Sequence, residues 1–134
     1  MNKLTDGDSA GYVNRLNTVN NVMAVTGAMM MVKKQLFVEL GGLDETRFAV
    51  AFNDIDFCLR AWQKGLLNVF TPYAQATHTE SVSRGYEDSI KKMQRFDIEQ
   101  QYFQDEYQHL LARGDAYYND NFSREREDYH WELN

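Results

Sequence analysis

Asn53-Asp54-Ile55-Asp56-Phe57-Cys58-Leu59-Arg60-Ala61-Trp62-Gln63-Lys64, closed by Gly65, reads as a helix with both ends written into it. Asn53 suits the N-cap, where a short polar side chain accepts an orphan first-turn N–H. Asp54 and Asp56 follow in the first turn, where the helix dipole favours negative charge. Gly65 suits the position past the last turn, which often needs a positive φ. Ile55, Leu59 and Trp62 share one face at i, i+4 and i+7, so other elements must cover that face. Asp56 and Arg60 are one turn apart and can pair. Cys58, on the apolar side, reads as a small buried hydrophobe.

Outward from this helix, residues 33–40 form a short amphipathic helix with Leu36, Phe37 and Leu40 on one face, stopped by Gly41-Gly42. Residues 43–52 are a loop. Residues 23–32 are a nearly continuous apolar run, interrupted at Thr26-Gly27, and read as a buried strand. Residues 1–20 are polar and read as a loop or frayed lead-in. On the other side, residues 67–70 form a short strand that Pro72 breaks, and residues 73–77 form another. Residues 78–86 are a polar loop. Residues 87–112 make the longest helix, with Ile90, Met93, Phe96, Phe103, Tyr107 and Leu110 at helical spacing. The charged tail carries Tyr117, Tyr118, Phe122, Tyr129 and Trp131, aromatics that call for a docking surface.

These pieces divide the chain into a polar lead-in (1–22), an α/β unit (23–112) and an aromatic, charged tail (113–134). Its 134 residues suit one domain, and 43% hydrophobic with 25% charged residues is a globular composition. One cysteine excludes an internal disulfide and a cysteine-based zinc cluster. The net charge of −6 argues against a nucleic-acid partner held through phosphates. No apolar run is long enough to span a bilayer, and the first residues are too polar for a signal peptide. The expectation is a soluble, cytoplasmic protein.

Three stretches bear chemistry-capable groups. In Asn53-Asp54-Ile55-Asp56 the ordinary reading is capping, and the functional one places Asp54 at a helix mouth as a general base. Asp54 and Asp56 lie about 200° apart around a helix, so one is functional and the other structural. In His78-Thr79-Glu80-Ser81-Val82-Ser83-Arg84-Gly85 a histidine follows a strand, beside groups that suit an anion such as diphosphate. His78 and Glu80 alone are too few for a metal. In Val25-Thr26-Gly27-Ala28, Gly27 marks a bulge or a close approach to the backbone. Asp6-Gly7-Asp8 has a metal-like spacing in unstructured sequence, and His109 and His130 read as surface residues.

Taken in order, these stretches resemble the C-terminal half of a family-2 glycosyltransferase with the GT-A fold. The matching residues are Val25-Thr26-Gly27-Ala28, Phe37 with Gly41-Gly42-Leu43-Asp44-Glu45, Phe52 through Arg60, Gly65 through Ala74, His78 through Ser81, and Ser83-Arg84-Gly85. Gly114-Asp115-Ala116-Tyr117-Tyr118-Asn119 looks like the family's closing segment. The nearest branch is bacterial, builds cell-surface polysaccharide and includes rhamnosyltransferase-like members. The implied fold is the C-terminal portion of a GT-A domain: a short mixed sheet, flanking helices and a long C-terminal helix.

The resemblance implies a role for each matched position. Asp54 corresponds to the catalytic base. Thr26, Gly27 and Ala28 border the donor sugar, and Ser81, Ser83 and Arg84 lie beside the departing diphosphate. Gly42, Leu43, Asp44 and Glu45 form the acceptor-side loop. His78 corresponds to a residue that binds the metal or the diphosphate. A divalent cation, Mn or Mg, is implied for the complete enzyme, with a nucleotide-sugar and a glycan acceptor as partners at the inner face of the membrane.

Three departures stand out. Asn53 replaces the Glu of many members, and Ala116 stands where Pro is common. The nucleotide-binding N-terminal half, with its Asp-x-Asp, has no counterpart in these residues. A cut-out piece, or a truncated or split protein, inactive alone, is therefore expected. The alternatives are a non-enzymatic module that uses an exposed sheet edge for homo-oligomerisation, and a small metal-dependent hydrolase using Asp54, His78 and Glu80.

Overall fold

The computed structural model describes residues 10–77, 90–123, 126 and 129–131. Within them the chain is α/β. Strand β1 (Asn20–Val22) precedes helix α1 (Lys34–Glu39), helix α2 (Asn53–Gln63), strand β2 (Asn68–Phe70) and the long helix α3 (Ile90–Arg113). The two strands pair antiparallel, Asn20 opposite Phe70 and Val22 opposite Asn68.

Helix α2 is the central element, with Asp56, Phe57, Cys58, Leu59 and Ala61 buried. It serves two cores. On one side Leu59 joins Phe48 and the α3 residues Phe103, Tyr107 and Leu110, with Ile55 and Trp62 packed alongside. On the other, Phe57 and Ala61 meet Leu40, with Leu36 and Phe37 of α1 against them. The expected Ile55–Leu59–Trp62 face therefore points at α3. The second face, toward α1, has no separate signature in the sequence.

The expected strand over 23–32 does not form. Thr26 caps a 3-10 turn at Gly27–Met29 by accepting the Ala28 N–H on its side chain. The run splits around that turn. Met23 packs on the first core, whereas Met30 and Val32 pack on the second. Met31 is fully exposed, at 99%. A short apolar run does not separate a strand from a buried connector by pattern alone, and local turn chemistry decided this one. The strand that pairs with β2 lies instead at 20–22, inside the stretch read as lead-in.

Two further expectations are corrected. The sheet among the described residues is antiparallel rather than mixed. Residues 73–77 form no strand: the Thr71 hydroxyl accepts the Tyr73 N–H and the Gln75 amide donates to the Pro72 carbonyl, which turns the chain instead. Gly41, Gly42 and Gly65 take the positive φ their places demand, at 81°, 70° and 78°.

The aromatic tail docks on the other end of the chain. Tyr12 stacks on Tyr129 at 4.7 Å and meets Phe122 edge-on at 5.2 Å. Phe122 pairs with Trp131 in an antiparallel bridge. The Ser123 N–H donates to the His130 carbonyl at 2.8 Å, and the Tyr118 hydroxyl to the Ser123 carbonyl at 2.8 Å.

Candidate functional site

Helix α2 begins on an unusual residue. Phe52, not Asn53, is its N-cap, and Phe52 sits in the left-handed region at φ 63° with no side-chain cap. Asn53 is the first helical residue. The sequence suggested a polar cap; tertiary contacts to Phe52 moved the helix start by one position.

Asp54 and Asp56, two residues apart, meet different surroundings, as helical geometry requires. Asp54 is half-buried. Its Oδ2 accepts the Gly27 N–H at 2.7 Å, and its Oδ1 accepts the Ile55 N–H at 2.8 Å. Each carboxylate oxygen keeps a further lone-pair direction for a proton or a hydroxyl. The approach to Gly27 is close: a Cβ there would lie 3.2 Å from Asp54 Cβ. One turn along α2, the Cys58 thiol points to the Val25 carbonyl at 3.9 Å. Asp54 and Cys58 thus hold the 25–27 segment on the helix. Burial pushes the Cys58 thiol above its ordinary value, so the group stays protonated.

Asp56 is fully buried. Its Oδ1 accepts the Tyr107 hydroxyl at 2.7 Å, and its Oδ2 accepts Nε and Nη2 of Arg60 at 2.9 and 2.7 Å. Burial and the Asp56 carboxylate together hold the Tyr107 phenol well above its ordinary value. Arg60 turns its remaining donors to the Leu40 and Gly42 carbonyls. This network ties α2 to α3 and to the loop after α1.

That loop borders an open cavity of about 400 Å³, lined by Leu40, Gly41, Leu43, Asp44, Glu45, Thr46, Arg47 and Arg60. Asp44 accepts the Thr46 and Arg47 N–H groups at 3.0 Å each and pairs with Arg47 Nε at 2.7 Å. The Arg47 backbone N–H and then its guanidinium hold the Asp44 carboxyl below the usual range. Arg47 also reaches Glu106 of α3 at 2.7 Å.

Of Thr26, Gly27 and Ala28, Gly27 meets Asp54, while the Ala28 N–H turns to the Thr26 hydroxyl. Asp44 and Glu45 line the cavity, which neither Gly42 nor Asp54 lines; Gly42 instead gives its carbonyl to Arg60 at 2.8 Å. The two groups are joined by α2, about 9 Å apart along its axis at 1.5 Å per residue. His78, Ser81, Ser83 and Arg84, with Glu80, lie outside the described residues. Among the described residues no three His, Cys, Asp or Glu side chains come together as a metal-holding group. The described residues therefore do not supply the donor set of the expected cation.

Sequence reasoning missed Phe52, Arg47 with Glu106, and above all Glu99. Glu99 is a buried acid of α3, only 4% exposed. Its signal was available: Glu99 falls three residues after Phe96 and four before Phe103, an acid set into an apolar stripe.

Comparison with known proteins places these features in a family. The model of "Glycosyl transferase family group 2" matches residues 11–109. An uncharacterized protein, y4gI of Sinorhizobium fredii (strain NBRC 101917 / NGR234), is 42% identical over 127 residues, 94% of this chain and 14% of that protein. The O-antigen biosynthesis protein RfbC of Myxococcus xanthus is 33% identical over 82 residues, 61% of this chain and 6% of that protein. The chain thus spans a small part of the length of each relative. No solved structure matches. The family match takes in α2 with Asp54, the turn at Gly27 and the cavity loop, and the chain belongs to glycosyl transferase family group 2.

Proposed function

We propose that this chain is the acceptor and catalytic-base half of an inverting glycosyltransferase of GT-A fold, acting on a nucleotide-sugar donor and a cell-surface polysaccharide acceptor. The observation that carries the reading is Asp54, a half-buried carboxylate at the mouth of α2, aimed by the Gly27 N–H. The acceptor hydroxyl gives its proton to Asp54 as its oxygen attacks the anomeric carbon, and the nucleotide leaves from the opposite face. The cavity at Asp44 and Glu45 lies on the acceptor side. The name of the Myxococcus xanthus relative, an O-antigen biosynthesis protein, supports a surface polysaccharide as acceptor. Donor nucleotide and cation belong to the part of the enzyme that grips the diphosphate.

Two measurements test this. Titration of the chain with UDP-, dTDP- and GDP-sugars and Mn²⁺ should give weak binding or none, whereas a low-micromolar Kd would overturn the half-enzyme assignment. In a longer protein carrying this segment together with a donor-binding part, Asp54→Asn should lower kcat at least about a hundredfold with donor binding kept. Full activity of that variant would remove Asp54 as the base.

A further inference from the structure

We propose that Glu99 is a positioning residue for Asp54, acting from α3 through the turn at 50–52; this rests on the reading of Asp54 as the base. Phe52 occupies a left-handed backbone (φ 63°, ψ −5°) that bulky residues rarely adopt, so its surroundings must hold it there. Its carbonyl accepts the Asp56 N–H at 2.8 Å, which starts the hydrogen-bond ladder of α2. The conformation of Phe52 therefore sets where α2 begins and which way Asp54, two residues on, is aimed.

What holds Phe52 is one face of α3. The Phe52 ring meets Phe96 at 5.4 Å and Phe103 at 5.0 Å. Between them in sequence, Glu99 Oε2 accepts the Ala51 N–H at 2.6 Å and the Val50 N–H at 3.3 Å. Among the described residues its Oε1 is buried without a hydrogen bond, 3.6 Å from Arg95 Nε. A buried carboxylate is costly unless its partners stay in place, so this contact restrains the turn tightly. The helix itself has no side-chain cap that could do the same work. The line of contact then runs from Glu99 to residues 50–51, through Phe52 to the first turn of α2, and from Asp54 to the Gly27 N–H.

The Gly27 amide reports the outcome directly, without any enzyme assay. In ¹H–¹⁵N spectra of the folded chain, Glu99→Ala should shift the Gly27 amide away from its carboxylate-bonded position. It should also speed that amide's hydrogen exchange at least about tenfold, as a locally opened contact does. Glu99→Gln retains a carbonyl oxygen for both N–H groups and should restore the wild-type signal. A lost anchor that only lowers stability would leave the folded-state Gly27 signal where it was. If Glu99→Ala moves the Val50 and Ala51 amides but not Gly27, the proposal is overturned. Should Glu99→Ala not fold, Glu99→Asp, one methylene shorter, serves for the same comparison, and an unmoved Gly27 amide again overturns it. The two readings separate cleanly: an inert Asp54→Asn substitution in an active longer protein removes the base, while the Gly27 signal decides Glu99 independently.

Discussion

At the scale of single residues, two acids two positions apart are separated by burial. Judged from sequence, Asp56 is a first-turn acid, and Asp56→Asn would cost roughly 0.3–1 kcal/mol. The structure buries it fully under Tyr107 and Arg60. Truncation to Ala leaves a guanidinium without its partner, and losses on the order of 3 kcal/mol attend such a break. Tyr107→Phe strips one buried acceptor of its donor and should cost about 1–3 kcal/mol. Urea unfolding of both variants checks the order, and a Tyr107→Phe chain as stable as wild type would show the hydroxyl contact to be idle. Asp44 belongs to a different regime. Its carboxyl is depressed in the folded chain, so it adds stability above its unfolded value, near 3.9, and loses it as pH falls through the folded value. Acidification below about pH 4 should therefore erode wild-type stability more steeply than that of Asp44→Asn. Cys58 is 1% exposed with a raised thiol pKa. Iodoacetamide at neutral pH should leave it unmodified in the folded chain and label it in urea; labelling at equal rates in both would show that α2 opens readily.

Among the elements, α2 carries most of the information. Its far end, its Ile55–Leu59–Trp62 face and its Asp56–Arg60 pair were all legible, because each depends on spacing along one helix. Its start was not, because the turn before it is held by Glu99 and two phenylalanines about fifty residues downstream in sequence. The stop at Gly65 gives a clean local test. Gly65 has φ 78° and open space around it, so Gly65→Ala meets no neighbour and suffers only the backbone penalty. A cost of about 1 kcal/mol and a Tm lower by a few degrees are expected. An unchanged melting curve would mean that the turn relaxes to a negative φ. Helix α3 shows the opposite case. Phe103, Tyr107 and Leu110 are buried as their spacing suggests, but Ile90 and Met93 at its start are 75% and 55% exposed.

For the whole molecule, the described tail residues Phe122 and Tyr129 pack on Tyr12. Met31, Leu67, Val69 and Val38 are left exposed, at 99%, 60%, 47% and 67%. Of these, Val69 lies on β2, and among the described residues the sheet has two strands, each with an adhesive outer edge. Self-association at tens of micromolar is the expected consequence, measured by light scattering, and a strictly 15.7 kDa species would count against it. No helix among the described residues is long and apolar enough to cross a membrane.

The sequence by itself determined the α/β character, the helix over 53–63, the glycine stops after α1 and α2 and the family resemblance carried by ordered short motifs. All of these rest on residues close together along the chain, where periodicity, capping and turn chemistry act. Only the tertiary structure decided that the 23–32 run is a connector between two cores, that Asp56 is a buried keystone and that Asp54 meets Gly27. It alone placed Glu99 against the Val50 and Ala51 N–H groups just before α2. Those outcomes depend on contacts between residues 27 to 51 positions apart, such as Gly27 with Asp54 and Asp56 with Tyr107. No local pattern encodes such pairs, because burial and hydrogen-bond partners are set only when the helices pack.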